Sequence, residues 1–348
     1  MTRKLGVGMI GLGLAVKPHA LALRDLADRV QFIGGYSPSA ERRAAFAGTY
    51  GMPTVDSLEA LLGNPEIDAV WVLTPPNTHA DIALRAARSG KHVLLEKPVD
   101  VDLPRSRALV EGVERAGRTL GVVFQSRFRP GPVALRDLLR AGALGELISA
   151  SASIRWWRSA EYYAQAGRGT RARDGGGVLL TQAIHTLDLL LDLVGPATTV
   201  MGQTRASGLR SVDTEDVACA AVTYGNGAVG VIDASTAVYP GYPERIDIAG
   251  TGGSAVIEAE KLIVQRPGHP ALEIAGSSAG GGGADPMAFS HEPHKLLIAD
   301  FLDAIATGRA PQSSGRSALA VQALIDAILA SSATGAPVPV AATVARGR

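Results

Sequence analysis

Short apolar runs alternate with stretches of helical period through the first 124 residues. Residues 5–10, 30–33, 67–73, 92–95 and 120–124 are apolar runs bounded by turn residues, and each reads as a buried strand. Between them, the stretch from the first run to about residue 27, then 39–50, 80–89 and 103–116, reads as helix. Repeated βα units of this length predict a doubly wound parallel sheet, so residues 1–124 form an expected Rossmann-type dinucleotide-binding domain.

Past Phe124 the rhythm changes to adjacent strands. Residues 148–157, 198–204, 216–224, 228–235, 245–249 and 254–258 read as strands. Gly225-Asn226-Gly227 is a hairpin turn, because glycine and asparagine accept positive φ. Strands joined by short turns predict an open, mostly antiparallel sheet in an α+β domain over residues 125–348, assigned to substrate binding and oligomerisation. Residues 275–286 contain Gly280-Gly281-Gly282-Gly283 and read as a loop. Amphipathic helices over 291–307 and 316–331 finish the chain and are free to pack back on the first domain.

Composition narrows the partners. The chain has 348 residues, 46% hydrophobic and 19% charged, and a formal net charge of +1, which argues against a nucleic-acid or membrane surface. No apolar run reaches transmembrane length. The one cysteine, Cys219, cannot form an internal disulfide and is expected as a small core residue. The N-terminal segment mimics a secretion signal, with Arg3 and Lys4 before an apolar stretch and Ala20-Leu21-Ala22 after it. Cleavage there would remove the first strand and its glycines, so the expected location is cytoplasmic.

Candidate chemistry sits at the strand ends, where open α/β sheets bind ligands. After the first run comes Gly11-Leu12-Gly13-Leu14, in which Gly11 permits a tight turn and Gly13 lets the backbone approach a pyrophosphate; the third glycine position of the fingerprint is Val16. The fourth run ends in Glu96-Lys97-Pro98, and a lysine beside a carboxylate at that rim can position a hydroxyl or exchange a proton with it. In the second domain Asp174-Gly175-Gly176-Gly177 precedes a helix on which Thr181, His185 and Asp188 share one face at i, i+4, i+7 spacing. That places Asp188 to orient the His185 imidazole. No second histidine or cysteine cluster has ligand spacing, so no metal site is expected.

These segments, with Thr74-Pro75-Pro76-Asn77-Thr78-His79 and Gly308-Arg309-Ala310-Pro311, together resemble the Gfo/Idh/MocA family of glucose–fructose oxidoreductases and inositol dehydrogenases, over nearly the whole chain. The resemblance implies a hydride transfer between NAD or NADP and a hydroxyl carbon of a sugar, inositol or cyclic diol, in a homodimer or homotetramer. It implies Lys97 and His185 as the catalytic pair. Cofactor contacts are then expected from Gly11, Gly13, Leu14, Ser37, Arg42, Thr74, Pro75, Asn77, His79, Glu96 and Lys97. Substrate contacts are expected from Lys97, Gln125, Arg127, Trp156, Thr181 and His185.

One departure matters: the family commonly has an aspartate where this chain has Thr181, and threonine cannot act as a carboxylate base, so proton transfer falls either to His185 or to Lys97 as the neutral amine. Ser37 at the end of the second run, with no carboxylate nearby and with Arg42 and Arg43 beyond it, leans the cofactor toward NADP. A redox-assisted NAD-dependent glycosidase and a non-enzymatic cofactor-sensing regulator are the alternatives on the same fold.

Overall fold

The computed structural model describes residues 3–165, 167–276 and 290–342. The chain divides into two compact units: residues 1–125 with 291–318, and residues 126–290 with 319–348. Most of the loop expected over 275–286 lies outside the described residues.

In the first unit the elements run β1 (Leu5–Ile10), α1 (Val16–Asp25), β2 (Val30–Tyr36), α2 (Ala40–Tyr50), α3 (Leu58–Gly63), β3 (Ala69–Val72), α4 (His79–Arg88), β4 (His92–Leu95), α5 (Leu103–Arg115) and β5 (Leu120–Val122). The five strands form one parallel sheet in the order β2-β1-β3-β4-β5. β3 and the last three residues of β4 are buried throughout, which is why they read as unbroken apolar runs. Serine and aspartate start the helices: Ser39 caps α2, Ser57 caps α3 and Asp102 caps α5, each accepting from a backbone N–H. The terminal segment adds a helix to this unit, Glu292–Thr307, whose Phe301 is 1% exposed and meets Trp71 of β3 edge-on at 5.9 Å.

The second unit carries α6 (Pro130–Arg140), β6 (Leu147–Arg155), α7 (Ala160–Tyr163), α8 (Arg171–Asp174), a π-helical turn (Leu179–Ala183), α9 (Ile184–Val194), β7 (Ala197–Arg205), β8 (Val217–Tyr224), β9 (Val229–Ser235), β10 (Arg245–Gly250), β11 (Gly253–Glu258), β12 (Lys261–Gln265), β13 (Leu272–Ile274) and β14 (Val338–Pro339). Its nine strands lie in the order β13-β12-β11-β10-β6-β9-β8-β7-β14, antiparallel except for the β6–β9 pair. Along β8 the buried and open positions alternate, so one sheet face is core and the other faces outward. α9 packs on the buried face against β6 and β10.

Cys219 is a correction. It lies exposed in the outward register of β8, between the inward Ala218 and Ala220, rather than in the core. Residues 171–194 and 315–334 are also long and apolar enough to cross a membrane. Within them 83% and 56% of the apolar stretch is buried inside the protein, as in core helices.

Phe301→Ala removes a buried aromatic from the first unit, so urea unfolding should show a loss of about 3–5 kcal/mol. A loss under about 1 kcal/mol would contradict this placement of the terminal helix.

Candidate active site

In the first unit the glycine loop has two different glycines. Gly11 has φ +96°, and a Cβ there would lie 2.7 Å from the Leu73 carbonyl group, so both conformation and space require glycine. A Cβ on Gly13 would meet nothing within 4 Å. Beside it Leu14 is 70% exposed, and Ala15 at the start of α1 offers no side-chain oxygen to the helix N–H groups. Open space, an uncovered apolar residue and uncapped donors suit the pyrophosphate of a dinucleotide.

The next loops are tied together from inside. His79 is fully buried; its Nδ1 lies 2.9 Å from the Pro98 carbonyl oxygen and its Nε2 2.8 Å from that of Thr74. Burial lowers its pKa, against the opposing pull of these carbonyls and of Asp100. His79 therefore braces the Thr74–Asn77 turn against the Pro98 loop and does not reach a cofactor, which corrects the expectation for it. The turn itself is held by the Thr78 hydroxyl donating to Thr74 Oγ1 at 2.8 Å, and leaves Pro75 and Asn77 exposed.

Glu96 and Lys97 follow the end of β4, and Lys97 is half-buried. Glu96 Oε2 accepts from the Lys97 backbone N–H at 3.1 Å, and Oε1 lies 3.0 Å from His19 Nε2. Burial works to raise the Glu96 pKa, but His19, Lys97 and His294 outweigh it and the net shift is downward. The His294 ring packs edge-on against His19 at 5.3 Å. Sequence spacing gave no sign of this grouping of His19, Glu96 and His294, whose ligating atoms all lie within 4.8 Å of one another, compact enough for a metal ion. The His19–Glu96 contact is itself a hydrogen bond, so the three already form a polar brace beside Lys97.

At the end of β2, Ser37 is 2% exposed and its hydroxyl lies 3.4 Å from Ser39 N, so it serves the turn and not an open ribose site, another correction. Arg43 is committed to the Ser37 carbonyl and to Asp56, whereas Arg42 is exposed. Gln125 is half-buried, with an Oε1 that has no partner among the described residues.

In the second unit, half-buried Thr181 and His185 lie at the junction of the π turn and α9. The wider turn replaces the α spacing assumed from sequence, a geometry that recurs at functional sites. Glu215, missed from sequence, starts this helix: its carboxylate accepts from Gly177 N at 3.1 Å and Leu179 N at 3.2 Å. Burial raises the Glu215 pKa against the opposing effect of those donors. A Cβ on Gly177 would sit 1.8 Å from the Glu215 carbonyl oxygen, so that glycine is what admits the Glu215 backbone. The Thr181 hydroxyl donates to the Gly177 carbonyl at 2.7 Å.

Asp188 does not orient His185. Both of its oxygens accept from Arg127, from NH2 at 2.5 Å and Nε at 2.7 Å, while Asp192 accepts from Arg127 and Arg136. Burial pushes the Asp188 carboxyl up to about 6, against the pull of Arg127. Arg127, 4% exposed, is thus spent on the helix and not on substrate, which corrects that expectation. Trp156, half-buried, lies under the Arg158 guanidinium, 4.9 Å from ring centre to charge.

A parallel-sheet dinucleotide cradle with a lysine at a strand end, joined in one chain to an open-sheet unit, defines a nicotinamide-dependent oxidoreductase. Residues 5–124 match the model of the oxidoreductase family with NAD-binding Rossmann fold, and residues 133–256 match the GFO/IDH/MocA C-terminal domain. The chain is 30% identical to inositol 2-dehydrogenase of Rhizobium meliloti, over 93% of this chain and 96% of that one. It is 31% identical to 1,5-anhydro-D-fructose reductase of Ensifer adhaerens, over 75% and 77%. Among solved structures, the WlbA dehydrogenase of Bordetella pertussis in complex with NADH and UDP-GlcNAcA superposes with a TM-score of 0.85 at 27% identity, covering 97% of this chain and 99% of that one. The chain belongs to the Gfo/Idh/MocA family.

Asp188→Ala leaves the buried Arg127 and Arg136 facing the single carboxylate of Asp192, with one positive charge in excess, and should cost about 3–5 kcal/mol in urea unfolding. The double variant Arg127→Met/Asp188→Leu should recover most of that loss. Equal losses in both variants would mean that packing alone, and not charge pairing, holds the helix.

Proposed function

We propose that the protein moves a hydride between nicotinamide and a hydroxyl-bearing carbon of a sugar or inositol, with Lys97 and His185 as its catalytic residues. The observation that carries the reading is Lys97, half-buried after the end of β4, its backbone N–H fixed by the carboxylate of Glu96. A bound nicotinamide supplies the two-electron acceptor or donor. On the protein side, the Lys97 ammonium donates to the reacting oxygen and lowers the cost of its losing a proton. Thr181 cannot titrate and its hydroxyl is engaged with Gly177, so the proton passes to the His185 imidazole. In the reverse direction His185 returns it. The family relatives named for inositol and anhydrofructose chemistry support a polyol or sugar substrate.

The cofactor reading leans toward NADP through Arg42, the exposed guanidinium beside Glu41 in the first turn of α2, and through serine in place of a carboxylate at position 37. The outward face of the nine-stranded sheet exposes Ile148, Met201, Val229 and Val231, a surface suited to a second copy of the chain.

Lys97→Ala should abolish turnover of sugars and inositols, followed at the nicotinamide absorbance band, while cofactor affinity changes less than about threefold. Full activity in that variant would remove Lys97 from the mechanism. Arg42→Ala should lower kcat/KM with NADP about tenfold relative to NAD, the scale of one charge-assisted contact. An unchanged ratio would remove Arg42 from the ribose site.

A further inference from the structure

Between residues 155 and 173 the chain carries five arginines and one glutamate. Arg155 pairs with Asp233 and Arg173 with Asp174, and nearby Arg210 is buried against Asp216. Arg158 and Arg168 differ from these. Among the described residues no carboxylate lies within ion-pair distance of either, although both guanidinium groups belong to half-buried residues. They share one ring: Arg168 lies 4.5 Å and Arg158 5.5 Å from the centre of Tyr162. Arg158 also covers Trp156.

Such an arrangement is costly as it stands. Two like charges converge on one aromatic side chain, and cation–π attraction of roughly 0.5–2 kcal/mol per contact offsets only part of the repulsion and lost hydration. The Nε of Arg158 and the Nε1 of Trp156 are shielded from water and have no hydrogen-bond partner among the described residues. Arg158 otherwise donates only to the Trp157 carbonyl, at 3.2 Å. Arg168 donates to neutral groups alone, the Tyr162 hydroxyl at 2.6 Å and Gln165 Oε1 at 2.9 Å from NH2.

The cluster is anchored to the proposed catalytic helix. Gln182, 6% exposed, donates from Nε2 to the Tyr162 hydroxyl at 3.2 Å, and Gln182 directly follows Thr181 and precedes His185 by three residues. Thr181 also puts a neutral group where a carboxylate would have cancelled positive charge. The helix end that faces chemistry is therefore bordered by two uncompensated guanidinium groups.

We propose that Arg158 and Arg168 form a subsite for an anionic substituent, and that the substrate is a sugar acid bearing a carboxylate. This rests on the reading of the chain as a sugar or polyol dehydrogenase, which it narrows. A carboxylate accepts from two guanidinium edges at once and relieves their mutual repulsion, whereas a neutral hydroxymethyl group does neither. The tyrosine and tryptophan faces hold the guanidinium planes in place for it, and lessen the ordering cost on binding.

The test is a titration of the NAD-loaded and NADP-loaded protein with the matched pairs D-glucose and D-glucuronate, and D-galactose and D-galacturonate, followed by isothermal calorimetry and by turnover. At least one acid should bind at least tenfold more tightly than its neutral partner. Arg158→Gln and Arg168→Gln should each reduce that acid-to-neutral ratio about 10- to 100-fold, as expected for a lost charge-assisted contact. Arg168→Lys, which keeps the charge and the fold, should retain part of the preference. Equal or weaker binding of every acid, or a ratio unmoved by both glutamine variants, overturns the proposal. In Lys97→Ala the acid should still bind although turnover is lost. Tight acid binding without turnover in the unaltered protein would support the subsite and contradict the dehydrogenase reading, which separates the two.

Discussion

The buried charge network on α9 sets where the chemistry of the second unit can occur. Asp188 and Asp192 lie one turn apart on that helix and clasp Arg127 and Arg136, the latter on α6. Arg136 also donates to the Arg127 carbonyl at 2.8 Å, so the two arginines are tied to each other as well. Apolar packing by Leu187 and Leu190, both fully buried, is strong but non-directional and would tolerate rotation or sliding of the helix. Forked hydrogen bonds tolerate neither. Burying such ions costs several kcal/mol each and is sustained only by good geometry, which makes the network an effective register pin for His185, three residues before Asp188.

The other end of the same helix is held from the sheet. Glu215 lies just ahead of β8, and its carboxylate takes the N–H groups of Gly177 and Leu179. Its neighbour Asp216 fastens the Ser207 backbone N–H at 2.6 Å and faces Arg210 at 3.4 Å. The start of one strand thus brackets both the π turn and the arginine-rich segment. The Thr181 hydroxyl is fixed on the Gly177 carbonyl, one turn before His185. In the first unit a comparable brace acts on Lys97: His19 and the backbone of Lys97 hold the Glu96 carboxylate from two sides.

The strands that read most clearly were those buried on both faces or strictly alternating, because burial writes a period into the sequence. β12 and β13 escaped notice: they are short and near the sheet edge, and every residue of β13 is at least partly open to solvent. The Gly11 turn, the Lys97 strand end and the helix carrying His185 were legible because each depends on local conformation. His79, Arg127 and Glu215 were not. Each is defined by a partner 19 to 61 residues away, namely Pro98, Asp188 and Gly177. Nothing in the local pattern separates a histidine that meets a ligand from one that joins two loops. The π turn was hidden for a related reason, since i, i+4 counting presupposes the α geometry that the Glu215 contact replaces.

The central claim is that hydride leaves a carbinol carbon of a sugar or polyol for the nicotinamide bound by this chain. It is tested most directly by supplying substrates deuterated at the carbinol carbons together with oxidised cofactor, and weighing the cofactor by mass spectrometry. One deuteron should appear in the reduced nicotinamide for every carbonyl formed, and Lys97→Ala should give none. Substrate consumed with an unlabelled, still oxidised cofactor would contradict it.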